Sequence, residues 1–352
     1  MKSWSAFASA VVLVALLAGG CSTLDERQRE WIFQPGDQSW GNSESYSKGM
    51  DDVWIDFQSS LTGEPVRLHG LWLGGKPDNP KTPVMLFLHG AKYNVAGSAP
   101  RMRRMNELGF SVLAIDYRGF GKSSKALPSE DSAREDAMAA WRWLAAHHPD
   151  QPRYIFGHSL GGAIGIDLAS RVNDASGVIV ESTFTSIADV VSSFKWGWLP
   201  FGPLITQRFD ALSKVKNIHA PLLVVHGTAD SLINPTLGRK LYDAATVPKM
   251  FVLVQGGSHH NANSIGEAQY RAALAQLYRM KEPPDSVAAG EAGAAGGADA
   301  AAATAGGGKA ASSSSASSSP LPSSSAATPA PAAAPSSAAL AQPAVRALRP
   351  AI

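Results

Sequence analysis

Tyr154-Ile155-Phe156-Gly157-His158-Ser159-Leu160-Gly161-Gly162 decides how this chain is read. An apolar run ends in a tight turn, and a helical stretch rich in small residues follows to about residue 171. The turn carries G-x-S-x-G with Ser159 at its centre, the pattern of a nucleophile elbow. In such a turn the serine holds a strained backbone conformation between strand and helix. Gly157 and Gly161 are needed because the two arms approach too closely for side chains. The hydroxyl then stands at the start of a helix, where the N–H of Leu160 can donate to a developing oxyanion.

Around this turn, apolar runs alternate with helical stretches. Residues 53–57 and 66–73 predict an antiparallel pair joined by the turn Thr62-Gly63-Glu64-Pro65. The run at 83–88 is apolar throughout, which suits a strand buried on both faces of a parallel sheet. Further strands are expected at 110–116, 153–156, 177–181, 222–226 and 250–254, with helices over 99–108, 129–146 and 160–171. Asp and Glu in the first turn of the second helix complement its dipole. This alternation predicts an α/β domain with a mostly parallel, eight-stranded-type sheet and helices on both faces.

The rest of the chain frames that domain. The chain has 352 residues, a net charge of +2 and no block of Lys and Arg, so no nucleic-acid footprint is expected. Its single cysteine, Cys21, excludes an internal disulfide. Lys2 and the apolar run 6–17 read as a targeting segment, too short for a comfortable membrane span. The expected division is a signal segment at 1–20, a polar spacer at 21–49 joining the domain near Trp31-Ile32-Phe33, the α/β domain at 50–282, and a tail at 283–352. The tail consists largely of Ala, Ser, Pro and Gly without an aromatic residue, a composition that reads as disordered.

Three features complete a constellation with Ser159. Asp230, in His226-Gly227-Thr228-Ala229-Asp230, follows a buried strand and could orient an imidazole. Gln255-Gly256-Gly257-Ser258-His259-His260-Asn261 follows the last strand and offers a general base. His259 has small residues before it, and His260 is the alternative. His89-Gly90-Ala91-Lys92 follows the strand at 83–88, and the Ala91 amide is the second candidate oxyanion donor. The chain order Ser, Asp, His is the order expected for such a triad on an α/β sheet. Gly121-Lys122-Ser123 imitates the end of a phosphate loop, but Asp116 stands where its first glycine belongs. No H-E-x-x-H or paired metal-ligand spacing occurs, so neither a metal nor a cofactor is expected.

Residues of about 50–280 resemble the α/β-hydrolase superfamily. Asp116-Tyr117-Arg118-Gly119-Phe120-Gly121-Lys122-Ser123, Glu181-Ser182-Thr183-Phe184-Thr185-Ser186 and Arg208-Phe209-Asp210 are similar to its small-cap members. The resemblance implies an ester or thioester hydrolase that works through an acyl-enzyme. Peptidase or acyltransferase chemistry on the same fold is the alternative, and a non-catalytic binding module lies outside enzymology. The stretch of about 183–220 would be the cap. Its apolar, turn-rich part, Phe194 to Pro203 with Trp196 and Trp198, could pack as a lid, line an acyl site or touch a membrane. Leu17-Ala18-Gly19-Gly20-Cys21 resembles the lipobox of bacterial lipoproteins, with Leu17 one place further from the cysteine than is usual. That resemblance implies cleavage before Cys21, acylation of its thiol and terminus, and membrane attachment through lipid. Ser22 after it implies the outer membrane, facing the periplasm. The expected partners are an acyl ester substrate and that membrane.

Overall fold

The computed structural model describes residues 22–37, 43–75, 81–194 and 202–280. Cys21 and the signal segment, the cap aromatics Trp196 and Trp198, and the tail from 283 onward lie outside the described residues.

Eight strands form one sheet: β1 (Asp51–Gln58), β2 (Pro65–Leu73), β3 (Val84–Leu88), β4 (Ser111–Ile115), β5 (Arg153–His158), β6 (Ala175–Glu181), β7 (Leu222–Gly227) and β8 (Lys249–Val254). Their spatial order is β1-β2-β4-β3-β5-β6-β7-β8. β2 runs antiparallel to both β1 and β4, and every other pairing is parallel. This is the fold expected from the sequence, the α/β-hydrolase sheet with helices on both sides. β3, β4 and β7 are buried along their whole lengths, as their unbroken apolar runs require.

Alternation along the strands sorts the core into two halves. Leu86, Leu88, Leu113, Ile155, Val178, Val180 and Val224 face one side, against α4 (Glu130–His147), α5 (Leu160–Ala169) and α8 (Pro235–Ala244). Met85, Phe87, Val112, Phe156, Ile179 and Val225 face the other. There they meet α3 (Ala99–Glu107) through Met102 and Met105, and α10 (Glu267–Tyr278) through Tyr270 and Leu274. The period of two in the strands and of about 3.6 in the helices produces both faces. α10 has no clear signal in the sequence. Its charged and polar residues dilute the apolar spacing, yet it seals the second half of the core.

Chain order places the site. β3 pairs with β4 on one edge and β5 on the other, so the chain reverses direction across the sheet there. Loops leaving the carboxyl ends of β3 and β5 then border a crevice, the usual ligand position in open α/β sheets. Leu88 lies opposite Gly157, which sets the loop after β3 beside the turn carrying Ser159.

One expectation is corrected. The segment 21–49, read as a spacer, contains a helix over 22–33, here α1, that docks on the domain. Phe33 is fully buried, 5.7 Å edge-on from Phe209 and 6.5 Å from Phe120. Gln28 donates to the Leu204 carbonyl at 2.7 Å and accepts from the Thr206 N–H at 2.9 Å. Arg29 Nε donates to the Pro128 carbonyl at 2.9 Å. The helix reads as a spacer because its buried apolar residues, Ile32 and Phe33, stand together at its end, while along its length Gln28 and Arg29 bond main-chain groups and leave no apolar stripe in the sequence. A short helix, α2 (Ser43–Ser47), follows, and Arg103 holds its end through the Tyr46 and Lys48 carbonyls at 2.9 and 2.6 Å.

Between β6 and β7 the described parts of the expected cap are α6 (Ile187–Ser192), a turn at Gly202–Leu204 and α7 (Ala211–Lys214). They pack down through Ile205, Phe209, Ala211 and Val215. α9 (Ala262–Ile265) lies after the histidine loop.

Candidate active site

Ser159 sits between β5 and α5 with φ 56° and ψ −121°. A side chain at such a φ costs about 1–3 kcal/mol and persists only where the surroundings over-determine it. They do so here. A Cβ on Gly157 would stand 2.3 Å from the Gly161 carbonyl oxygen, and one on Gly161 would stand 2.0 Å from that of Leu88. The serine N–H donates to the Glu181 carbonyl at 2.9 Å, and Thr183 Oγ1 donates to the Ser159 carbonyl at 2.8 Å. Strand, turn and helix are therefore packed too closely for the serine to relax.

Ser159 Oγ lies 3.1 Å from His259 Nε2, and His259 Nδ1 lies 2.9 Å from Asp230 Oδ2. Of the two histidines left open by the sequence, His259 is the one whose ring spans serine and carboxylate. The ring of His260 lies 5.0 Å from that of His259, on the cavity wall. Asp230 Oδ1 accepts from the N–H groups of Leu232 and Ile233 at 3.0 and 2.8 Å. Its Oδ2 also lies 3.3 Å from Nε2 of the buried His226. Burial pushes the Asp230 carboxyl up, but bonds from His226, His259 and the Ile233 amide outweigh it and hold the group far below the usual carboxylate range. Asp230 is thus a fixed negative charge on the far side of the imidazole.

The loop after β3 passes directly over the serine, and a Cβ on Gly90 would come within 3.1 Å of Ser159 Cβ. His89 anchors the loop. Its ring packs 4.6 Å from Tyr117 and 5.1 Å from Phe120, and the Tyr117 hydroxyl donates to its carbonyl at 3.3 Å. Lys92 has φ 83°, and its N–H donates to the Phe33 carbonyl at the end of α1, at 2.8 Å. Ala91, between these two anchors, lines the cavity over Ser159. Leu160 opens α5, with its N–H directly after the serine. Both candidate oxyanion amides thus belong to rigid backbone flanking Ser159.

Arg101 is a residue that sequence reasoning missed. From α3 it donates to Glu181 at 3.0 Å and to the His260 carbonyl at 3.0 Å. Glu181 is fully buried at the end of β6 and also receives the Tyr270 hydroxyl. His158, beside the serine, has Nε2 2.9 Å from the His259 carbonyl. Burial first, and then the Arg101 charge, keep the His158 ring neutral, well below its ordinary pKa. The histidine loop is therefore tethered from below by a buried ion pair and a neutral imidazole. No signal in the sequence links Arg101 to a glutamate eighty positions on. Among the described residues no cluster of three or more His, Cys, Asp or Glu could hold a metal, and no described helix is long and apolar enough to cross a membrane.

A family profile described as "Serine aminopeptidase, S33" matches residues 79–208. An uncharacterized protein of Mycobacterium tuberculosis is 32% identical over 254 residues, 71% of this chain and 87% of that protein. The lysophosphatidylserine lipase ABHD12 of Danio rerio is 32% identical over 241 residues, 62% of this chain and 63% of the lipase. Among solved structures, the Pyrococcus furiosus esterase Pf2001 superposes with a TM-score of 0.54 at 19% identity, over 70% of this chain and 95% of the esterase, a likeness of fold.

Proposed function

We propose a function from one premise: the chain belongs to the α/β-hydrolase superfamily and is a hydrolase. It cleaves carboxylic esters or thioesters of acyl groups, with Ser159 as nucleophile, His259 as base and Asp230 as its orienting anion. The observation that carries this reading is the alignment of Ser159 Oγ, the His259 ring and Asp230, at 3.1 and 2.9 Å, on a strained strand-to-helix turn.

The chemistry follows from those distances. Ser159 Oγ attacks the acyl carbon while His259 Nε2 takes its proton. Negative charge grows on the carbonyl oxygen, where the N–H groups of Leu160 and Ala91 can receive it. Asp230 stabilises the imidazolium through Nδ1–H and keeps the tautomer that leaves Nε2 free to accept. The imidazolium then protonates the departing alcohol or thiol. Water, activated by the same histidine, releases the acid and restores Ser159.

The rival reading as an aminopeptidase, suggested by the profile's description, needs an anion to bind the substrate's protonated amine. Among the described residues lining the cavity there is no Asp or Glu, and there are Lys92, Arg101 and Arg104. This charge pattern favours esters. The lipase activity of ABHD12 points in the same direction, toward a lipid acyl ester. We further infer that Cys21 carries lipid and holds the domain at the bacterial envelope, since the only cysteine in the chain stands where lipidation requires one.

The test is labelling with a fluorophosphonate, followed by turnover of a p-nitrophenyl ester series. Wild type is expected to be labelled at Ser159 and to release p-nitrophenol, and Ser159→Ala to do neither. An unlabelled wild type that turns over no ester would reject the reading in favour of a binding module.

A further inference from the structure

Ser159 and His259 lie a hundred positions apart, and their 3.1 Å contact holds only if both main chains are referred to one fixed point. Glu181, at the end of β6, is that point. Its carbonyl accepts the Ser159 N–H at 2.9 Å. Its carboxylate is fully buried, with Arg101 Nε donating to Oε1 at 3.0 Å and the Tyr270 hydroxyl donating to Oε2. The other end of the guanidinium turns to the histidine loop. Arg101 Nη2 donates to the His260 carbonyl at 3.0 Å and reaches the His259 carbonyl at 3.4 Å. Glu181 thus fixes the nucleophile through its main chain, and the base through its carboxylate and one arginine.

His158 holds the same carbonyl from another side. Its Nε2 lies 2.9 Å from the His259 carbonyl, which can only accept, so Nε2 carries the proton and donates. Asp230 orients the His259 ring about its own bonds, whereas the bonds to the carbonyls fix where the ring starts. Only a forked head serves here. Arg101 places Nε on Glu181 and Nη2 on the loop in one rigid plane, and an ammonium on a flexible stem has no such second arm.

We propose that Arg101 is a positioning residue for the hydrolysis: it bridges the buried Glu181 to the main chain of the histidine loop and so keeps the His259 ring in line with Ser159. This rests on the hydrolase reading above. Arg101 also borders the cavity, where it could meet substrate instead, and the two roles separate in kcat and KM.

The experiment measures kcat and KM for p-nitrophenyl butyrate and the rate of fluorophosphonate labelling, below the melting transition of each protein, together with Tm. The proteins are wild type, Arg101→Lys, and a double variant of Arg101→Met with Glu181→Gln. Arg101→Met alone would strand a buried carboxylate, and the added Glu181→Gln removes that charge. Arg101→Lys keeps a cation beside Glu181 and is expected to melt near wild type. With KM close to that of wild type, kcat is expected to fall about 100-fold in the double variant and about 10-fold in Arg101→Lys, the scale of loss for a reacting group displaced by up to about 1 Å. Labelling should slow in parallel, since the same base activates Ser159. A buried ion pair that served stability alone would lower Tm and leave kcat in place. Wild-type kcat in Arg101→Lys overturns the proposal. So does a raised KM with kcat unchanged, which would put Arg101 on the substrate. Both of those results leave the hydrolase reading standing. A wild type that neither labels nor turns over the ester rejects that reading and the proposal with it.

Discussion

At Ser159, His259 and Asp230 the decisive quantities are two hydrogen bonds and one strained φ. A triad acts as a unit, so loss of one member lowers turnover by a factor on the order of 10⁴, and further losses do not multiply. His259→Ala is expected to match Ser159→Ala in a steady-state assay, and the double variant should be no worse. His260→Ala should keep most of the activity, because the Ser159 and Asp230 bonds belong to His259. An inactive His260→Ala beside an active His259→Ala would reverse that assignment. Glu135 gives a residue-level test of stability. Burial raises its pKa, but bonds from the Ser60 and Ser59 side chains, Arg118 and the Ser60 amide lower it from 4.5 to about 2. A carboxyl depressed in the folded state binds protons more readily when unfolded, so its stabilisation is present above pH 4.5 and is lost as pH falls toward about 2. Glu135→Gln should therefore be less stable than wild type at neutral pH, and denaturant titrations should show the difference shrinking through that acid window. A difference independent of pH would remove the charge from the explanation.

Among the elements, α1 connects things that lie far apart in sequence. Its Phe33 side chain fills a gap between Phe120 and Phe209, while its Phe33 carbonyl receives the N–H of Lys92 beside Ala91. Phe33→Ala is expected to cost about 3–5 kcal/mol, the usual range for a fully buried aromatic. In a domain of this size that lowers Tm by roughly 10 °C in a thermal scan. It should also reduce kcat below the melting transition, because a displaced α1 releases the loop that carries the candidate oxyanion amide of Ala91. A large loss of Tm with kcat unchanged would show that the loop holds its shape without α1. Composition had suggested a spacer here, since Gln28 and Arg29 read as surface residues until their main-chain partners at Leu204, Thr206 and Pro128 are known.

For the whole molecule, the question is where the hydrolase domain is held. Expressed with its full leader in a Gram-negative host, wild type is expected to fractionate with membranes and Cys21→Ser to move to the soluble periplasmic fraction. Mass spectrometry of wild type showing an unacylated terminus would reject the anchor. The sequence by itself determined the class of sheet and singled out the candidate nucleophile. Unbroken apolar strands are covered on both sides wherever they fold, and the glycines at 157 and 161 are dictated by contacts within their own turn. Ser159 and Asp230 stand out as candidates for a similar reason, since one directly follows β5 and the other lies in the turn after β7. What only the tertiary structure decided depends on partners distant along the chain. His259 and His260 have nearly the same local surroundings, and the choice between them rests on which ring meets Asp230, twenty-nine positions away. Arg101 with Glu181, and α1 against the β3 loop, are of the same kind. Their meaning lies in three-dimensional proximity, which spacing along the chain does not encode.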